Sequence, residues 1–521
     1  MPAPMIDQRV EKNAACDRLM KEGIDGRQDL DAVIRTATLT DLAIELGRKD
    51  GLACALAWCE ALEQKPIPGD LAILVDYNRA NAIAGERYGT EWHWDQPTLA
   101  SELFYLRRAI SHEKFAETPD TIRCMCLNNI GNRMDVAGRA IEALEYWRRA
   151  LEVQPNFGMA LCNRAKILAD YAMALEDRGE QALLFWVAHK EASAALAPTA
   201  AYTDVRDERN RERVKTLKDW IESFVDLEGI AAEDPLALHD TSATDEEREY
   251  RRWCLDNRLY LNPFNDLGQY SVGPYDSMQL PAHVVRVDAP HIFESFFDQM
   301  KQEYVSARWF LYEGLTAKTL HFSDRDVLLQ AIEPRPSLSL ATEKVKAAYR
   351  ISYSLFDKIG FFVNSYMELG IPEKQVTFRT LWRTGDKKPI RSQFDVTGTS
   401  TGNWAFCALY WVAKDFFEKA SDEVAEPQAR GLSDIRNHVE HKYLRVTVAE
   451  SPVVPPDDLA LMVSREQLER KAIHLLKLAR SGLIYLALGV GFEERRREVG
   501  RAGVPLEEIP STPHLVDAEK I

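Results

Sequence analysis

The segment Gly431 to Leu444 reads G-L-S-D-I-R-N-H-V-E-H-K-Y-L and gathers Arg436, His438, Glu440 and His441 within six residues. No other stretch of the 521-residue chain is so dense in groups that could do chemistry. Ser433 has the side chain of a helix N-cap and Asp434 supplies a first-turn carboxylate, so the pattern predicts a helix from Ile435 with Arg436 near its N-terminal end. An arginine beside free backbone N–H groups suits a phosphate, and a histidine can carry a proton near neutral pH. Arg436 and His441 are five apart, about 140° around a straight helix, so one chain does not readily bring them together. A plainer reading pairs Arg436 with Glu440 at i,i+4 and leaves both histidines on a solvated or packed face. His438 and His441 share a face at i,i+3, but two ligands without a third make a weak metal site. No metal and no cofactor is expected.

The run Arg436-Asn437-His438-Val439-Glu440-His441 resembles the R-x4–6-H motif of the HEPN superfamily, including the polar residue that family prefers after the arginine. The segment from Ile351 to Gly370 resembles the long first core helix of a large bacterial HEPN branch whose members often carry N-terminal TPR repeats. Trp253-Cys254-Leu255, Leu261 to Leu267 and Lys301 to Arg308 match that branch as well, so the resemblance covers residues 245 to 490. It implies metal-independent RNA cleavage in which the substrate's own 2′-hydroxyl attacks the adjacent phosphate. His441 would then transfer the proton, Arg436 would stabilise phosphate charge, and Asn437 would orient the phosphate or fix the histidine. His438, Glu440 and Asp357 are supporting candidates. The resemblance also implies a homodimer through the HEPN region, with two motif helices meeting across a two-fold axis in a composite site. Regulated RNases of this build are associated with phage defence and toxin systems. A non-catalytic scaffold binding RNA or protein through the same helix is the competing reading. Nucleotidyl transfer is disfavoured, since neither a Gly-rich phosphate loop nor a paired-aspartate metal motif is present.

A formal charge of −16 and a pI near 5.3 argue against whole-surface affinity for nucleic acid, so an RNA site must be a local basic patch. One candidate is Arg379, Arg383, Lys387, Lys388 and Arg391, with Phe378 and Trp382 interleaved as stacking surfaces; Lys442 beside the motif is another RNA-binding candidate. The alternative is a solvated loop whose aromatics face the core. The eight cysteines lack paired C-x2-C sets and read as reduced core residues. Without a run of about 18 apolar residues or a basic-then-apolar N-terminus, no membrane segment is expected and the chain reads as cytoplasmic.

The elements that must position the motif are helical. Leu127 to Gly131 is echoed by Leu161 to Ala165, 34 residues on, which is the TPR period. Gly131 would let one helix approach the next, with Ala143, Trp147 and Ala150 as the packing stripe and Thr118-Pro119 as a helix start. The resulting expectation is all-α: a TPR-like helical-hairpin array over residues 1–227, an acidic linker at 228–249 that lets the halves change their relation, a HEPN-type bundle at 250–490, and a tail at 491–521. The repeat groove should receive a peptide or protein partner. Trp92-His93-Trp94 reads as an exposed aromatic loop or one packed on its own repeat, and Leu261 to Pro281 as turns over the bundle's surface. Bundle helices are expected at 293–315, 341–369, 400–420, 434–446 and 464–489, with no period-two segment.

Overall fold

The computed structural model describes residues 4–87, 93–202, 207–237, 242–286, 292–330, 335–385, 388–394, 402–417, 431–448, 459–498, 506–509 and 520. The N-terminal half is a run of helices: α1 (Pro4–Glu22), α2 (Asp29–Leu46), α3 (Lys49–Glu63), α4 (Gly69–Arg87), α5 (Pro97–Ser111), α6 (Asp120–Val136), α7 (Ala140–Val153), α8 (Gly158–Ala174), α9 (Arg178–Leu196), α10 (Asp207–Glu222) and α11 (Leu227–Ala232). Consecutive members pair as hairpins, α4 with α5, α6 with α7 and α8 with α9. Ala143, Leu144, Trp147 and Ala150 recur at helical spacing on α7 and are all buried. Gly131 is what admits Trp147, since a Cβ there would lie 2.5 Å from the indole Nε1. That N–H donates to the Asn128 carbonyl at 3.2 Å. Asparagines join successive hairpins: Asn163 donates to Asn128 at 2.9 Å and Asn132 at 2.8 Å, and Asn129 donates to Asn81 at 2.9 Å. Thr118 does not cap α6; its hydroxyl donates to Phe115 O, and Pro119 occupies the cap position.

The C-terminal half contains α12 (Asp245–Asn257), β1 (His283–Arg286), α13 (Phe293–Thr316), α14 (Leu340–Tyr366), α15 (Trp404–Phe417), α16 (Leu432–His441), β2 (Tyr443–Thr447), β3 (Ala460–Ser464), α17 (Arg465–Glu498) and β4 (Leu506–Ile509). Helices α13 and α14 pack on each other and both pack on α17. Helix α17 is long and apolar enough to cross a membrane, but 89% of its most apolar window is buried inside the protein, so its apolarity is spent on the core. The expected absence of strands is corrected by two small sheets, β2 parallel to β3 and β1 antiparallel to β4. The expected helix over 434–446 accordingly stops at His441. Tyr443-Leu444-Arg445-Val446-Thr447 is β-prone, and Leu444 and Val446 bury on one face of the strand.

Residues 258–281 do not run over the surface as expected. Leu259, Tyr260, Leu261 and Phe264 are buried, and two arginines bind the segment to the bundle. Arg480 on α17 donates to Asp266 at 2.8 and 2.9 Å and to the Asn262 carbonyl at 2.8 Å; Arg308 on α13 donates to Asp276 at 2.9 and 2.8 Å. Asn262 and Asn265 hold turns as expected, accepting from the N–H groups of Phe264 at 2.7 Å and Tyr260 at 3.0 Å.

The halves share one continuous apolar core. Asp415 on α15 is buried and meets Arg107 of α5 at 3.3 Å and Arg139, which precedes α7. Tyr485 of α17 accepts from the Ile141 N–H at 3.0 Å and donates to Glu142. Trp94 is buried against Trp382, Phe394 and Tyr410, and its carbonyl accepts from Trp411 Nε1 at 3.0 Å; Trp92 lies outside the described residues. Trp94 therefore packs on the C-terminal half, while His93 is exposed. The acidic stretch carries α11 and the start of α12, and Ala237 O accepts from Ser271 Oγ at 2.6 Å. Buried contacts of this kind join the two halves across the seam.

Candidate functional site

Helix α16 begins one turn earlier than the sequence suggested. Gly431, at φ +82°, starts it, and its carbonyl accepts from Ile435 N–H at 2.9 Å. Ser433 is inside the helix and its hydroxyl bonds the Tyr353 phenol. Arg436 is thus the fifth of ten helical residues, away from the N-terminal N–H groups. Leu432 and Ile435 are buried and fix the helix on α14, where Tyr349 Oη donates to Leu432 O at 2.8 Å.

The partner surface is one stripe of α14, Lys346, Arg350, Tyr353 and Asp357, at offsets 0, 4, 7 and 11. The Arg436 guanidinium carbon lies 5.5 Å from the centre of the Tyr353 ring, and Nη1 donates to Asn437 Oδ1 at 3.2 Å. Burial raises the Asp357 carboxyl above its ordinary value, opposed by the Arg436 charge and the Phe378 N–H. Burial likewise raises the Tyr353 phenol, opposed by the Ser433 hydrogen bond, while Asp357 adds to the rise and Arg436 reduces it. Arg436 therefore lies over the Tyr353 ring, with Asp357 near enough to feel its charge but not ion-paired to it, and the alternative i,i+4 pair with Glu440 does not form. Glu440 is exposed.

At the other end of α16, His438 Nδ1–H donates to Asp434 O at 2.7 Å, which leaves Nε2 with the lone pair when the ring is neutral. His441, the last helical residue, is exposed, as are Asn437 and Lys442. Among the described residues, no three His, Cys, Asp or Glu side chains gather as a metal-ligand set. All eight cysteines are free thiols, seven of them buried, and burial pushes Cys59 up to about 12.

The basic stretch near residue 380 divides. Phe378 and Trp382 are core residues, 0% and 2% exposed, so of the two readings the structure takes the one whose aromatics face the core. Arg383 binds Asp95 at 2.5 Å, Tyr410 Oη at 2.6 Å and Lys388 O; Arg391 donates to Leu381 O at 3.0 Å. Those two arginines are consumed in holding the loop and the seam. Arg379 and Lys388 are exposed, and Lys387 lies outside the described residues.

A second basic cluster escaped the sequence reading. Lys346 and Arg350 of α14 come together with His438, Lys442 and Arg445 around a pocket of about 180 Å³. The 346, 350, 353, 357 spacing on a helix resembling the family's first core helix was the available signal.

With this geometry in view, residues 284–493 match the family model described as LA2681-like HEPN. A HEPN-superfamily domain is present over this part of the chain. The match spans α13 to α17, so α14, α16 and the pocket all lie in the HEPN domain. No curated protein and no solved structure matches the chain.

Proposed function

We propose that this protein is a metal-independent endoribonuclease whose HEPN domain cuts RNA at the α16 motif, with the N-terminal hairpins acting as a TPR-like module that targets or restrains it. The observation that carries the reading is the division of labour along α16: Arg436 set over the Tyr353 ring, and His441 exposed at the helix end inside the matched HEPN region. In the reaction the 2′-oxygen bonds to the adjacent phosphorus as the bond from phosphorus to the 5′-oxygen breaks. His441 moves the proton, Arg436 stabilises charge on the non-bridging oxygens, and Asn437 orients the phosphate. The products are a 2′,3′-cyclic phosphate and a 5′-hydroxyl. Because Arg436 and His441 project about 140° apart on one helix, the complete site takes its arginine and histidine from two copies in a homodimer. The N-terminal groove receives a peptide or protein partner.

The test is purified full-length protein incubated with total RNA in EDTA, wild type against His441→Ala. Cleavage by the wild type alone, with cyclic-phosphate ends, supports the reading. Cleavage by both proteins removes His441 from the chemistry, and binding without cleavage by the wild type makes the domain a scaffold.

A further inference from the structure

We propose that the pocket between the start of α14, the end of α16 and β2 holds a backbone phosphate of the RNA strand, next to the one that is cut. The proposal rests on the RNA-cleavage reading and adds a subsite to it. Lys346, Arg350, Lys442 and Arg445 line this pocket with His438, against the single carboxylate of Glu343. Glu343 is engaged with Lys346 at 2.7 Å, and the lining gathers four cationic side chains in a chain whose formal charge is −16. Against that background the cluster marks an anion site. Arg350 is exposed and makes no ion pair with any described residue, so its guanidinium is available to a ligand.

The form of the pocket selects the anion. A volume of about 180 Å³ admits a phosphate with some water. Tyr443, on the same rim, is 46% exposed and offers a ring face to the base attached to that phosphate. Phosphate and base together describe one nucleotide of a single strand. Lys442 directly follows His441, so a strand anchored here passes the exposed histidine.

Full-length protein is titrated into a labelled, mixed-sequence 2′-O-methyl RNA, which lacks the attacking hydroxyl and stays intact, and binding is read by fluorescence anisotropy. Arg350→Ala should weaken binding about three- to tenfold and reduce the slope of log affinity against log salt by about 0.7, one single-strand phosphate contact. Arg350→Lys should restore most of the affinity. Arg178→Ala, at the first residue of α9, makes the same charge change elsewhere and should leave binding unaltered. Unchanged binding by Arg350→Ala, or equal weakening by Arg178→Ala, overturns the pocket. So does adenosine monophosphate binding as tightly as the strand, because the ligand is then a free nucleotide. The two readings fail separately: Arg350-independent binding by a protein that still cuts RNA removes only the subsite. Arg350-dependent binding by a protein that cuts no RNA supports the subsite and removes the nuclease.

Discussion

Replacing Asp415 by Asn should destabilise the protein by about 3–5 kcal/mol, the usual cost of removing one partner from a buried charge cluster. The carboxylate faces Arg107 through two contacts of 3.3 Å and also binds Arg139; the arginines are 4% and 2% exposed. At 3.3 Å and an effective dielectric of about 20, the Arg107 pair alone corresponds to roughly 5 kcal/mol of gross attraction. Asparagine keeps the shape and an acceptor but not the charge. Glu142 still meets Arg139 at 3.3 Å, which softens the loss on that side. Burial pushes the Asp415 carboxyl up, but the charges and hydrogen bonds of Arg107 and Arg139 outweigh it and hold the group well below the usual carboxylate range. A depressed carboxyl stabilises the fold above its unfolded value of about 3.9, and that contribution is lost as pH falls through the lower folded value. The gap between wild type and Asp415→Asn should therefore be full at pH 7 and shrink as the solution is acidified below about 4. Urea unfolding followed by tryptophan fluorescence reads it, because Trp94, Trp382 and Trp411 are all buried at the same seam. An Asn variant that unfolds at the wild-type urea midpoint at pH 7 would refute the charge-clamp reasoning. Additivity of Asp415→Asn with Arg107→Met would refute it independently, since contacting groups should couple by about 0.5–3 kcal/mol.

Three further outcomes are expected. Arg436→Ala and His441→Ala should each lower RNA cleavage by about 10²- to 10⁴-fold with unchanged circular dichroism, measured on RNA in EDTA. Asp357→Asn, which removes the carboxylate whose charge faces Arg436, should lower cleavage yet leave thermal stability at pH 7 equal or higher. The Asp357 carboxyl is raised by burial, so its contribution favours the fold below the unfolded value and is lost as pH rises through the folded one; a large drop in melting temperature at pH 7 would contradict this. Gly131→Ala should cost about 1–3 kcal/mol by overpacking, despite the better helix propensity of alanine, because its Cβ would sit 2.5 Å from the Trp147 indole; urea unfolding checks it.

The sequence by itself determined the elements whose information is local. Apolar residues at helical spacing marked α13, α14 and α17, and the Gly131–Trp147 pairing followed from a small residue one helix away from a large one. Arg436, Asn437 and His441 could be singled out as candidates because they share one turn-and-a-half of helix. Tertiary structure alone decided who faces them. Periodicity says which side of a helix is apolar, not which surface it meets, so the packing of Trp94 on the C-terminal half and the Asp415 clamp had no local signature. The same holds at the site. Tyr353 meets Arg436, and Lys346 and Arg350 share a pocket with Lys442, only because buried Leu432 and Ile435 dock α16 along α14. Read locally, Arg383 and Trp382 were either RNA-binding groups or parts of a loop whose aromatics face the core; folding sets the arginine on Asp95 and the indole in the core, since charge and aromatic area are used wherever the chain brings a partner.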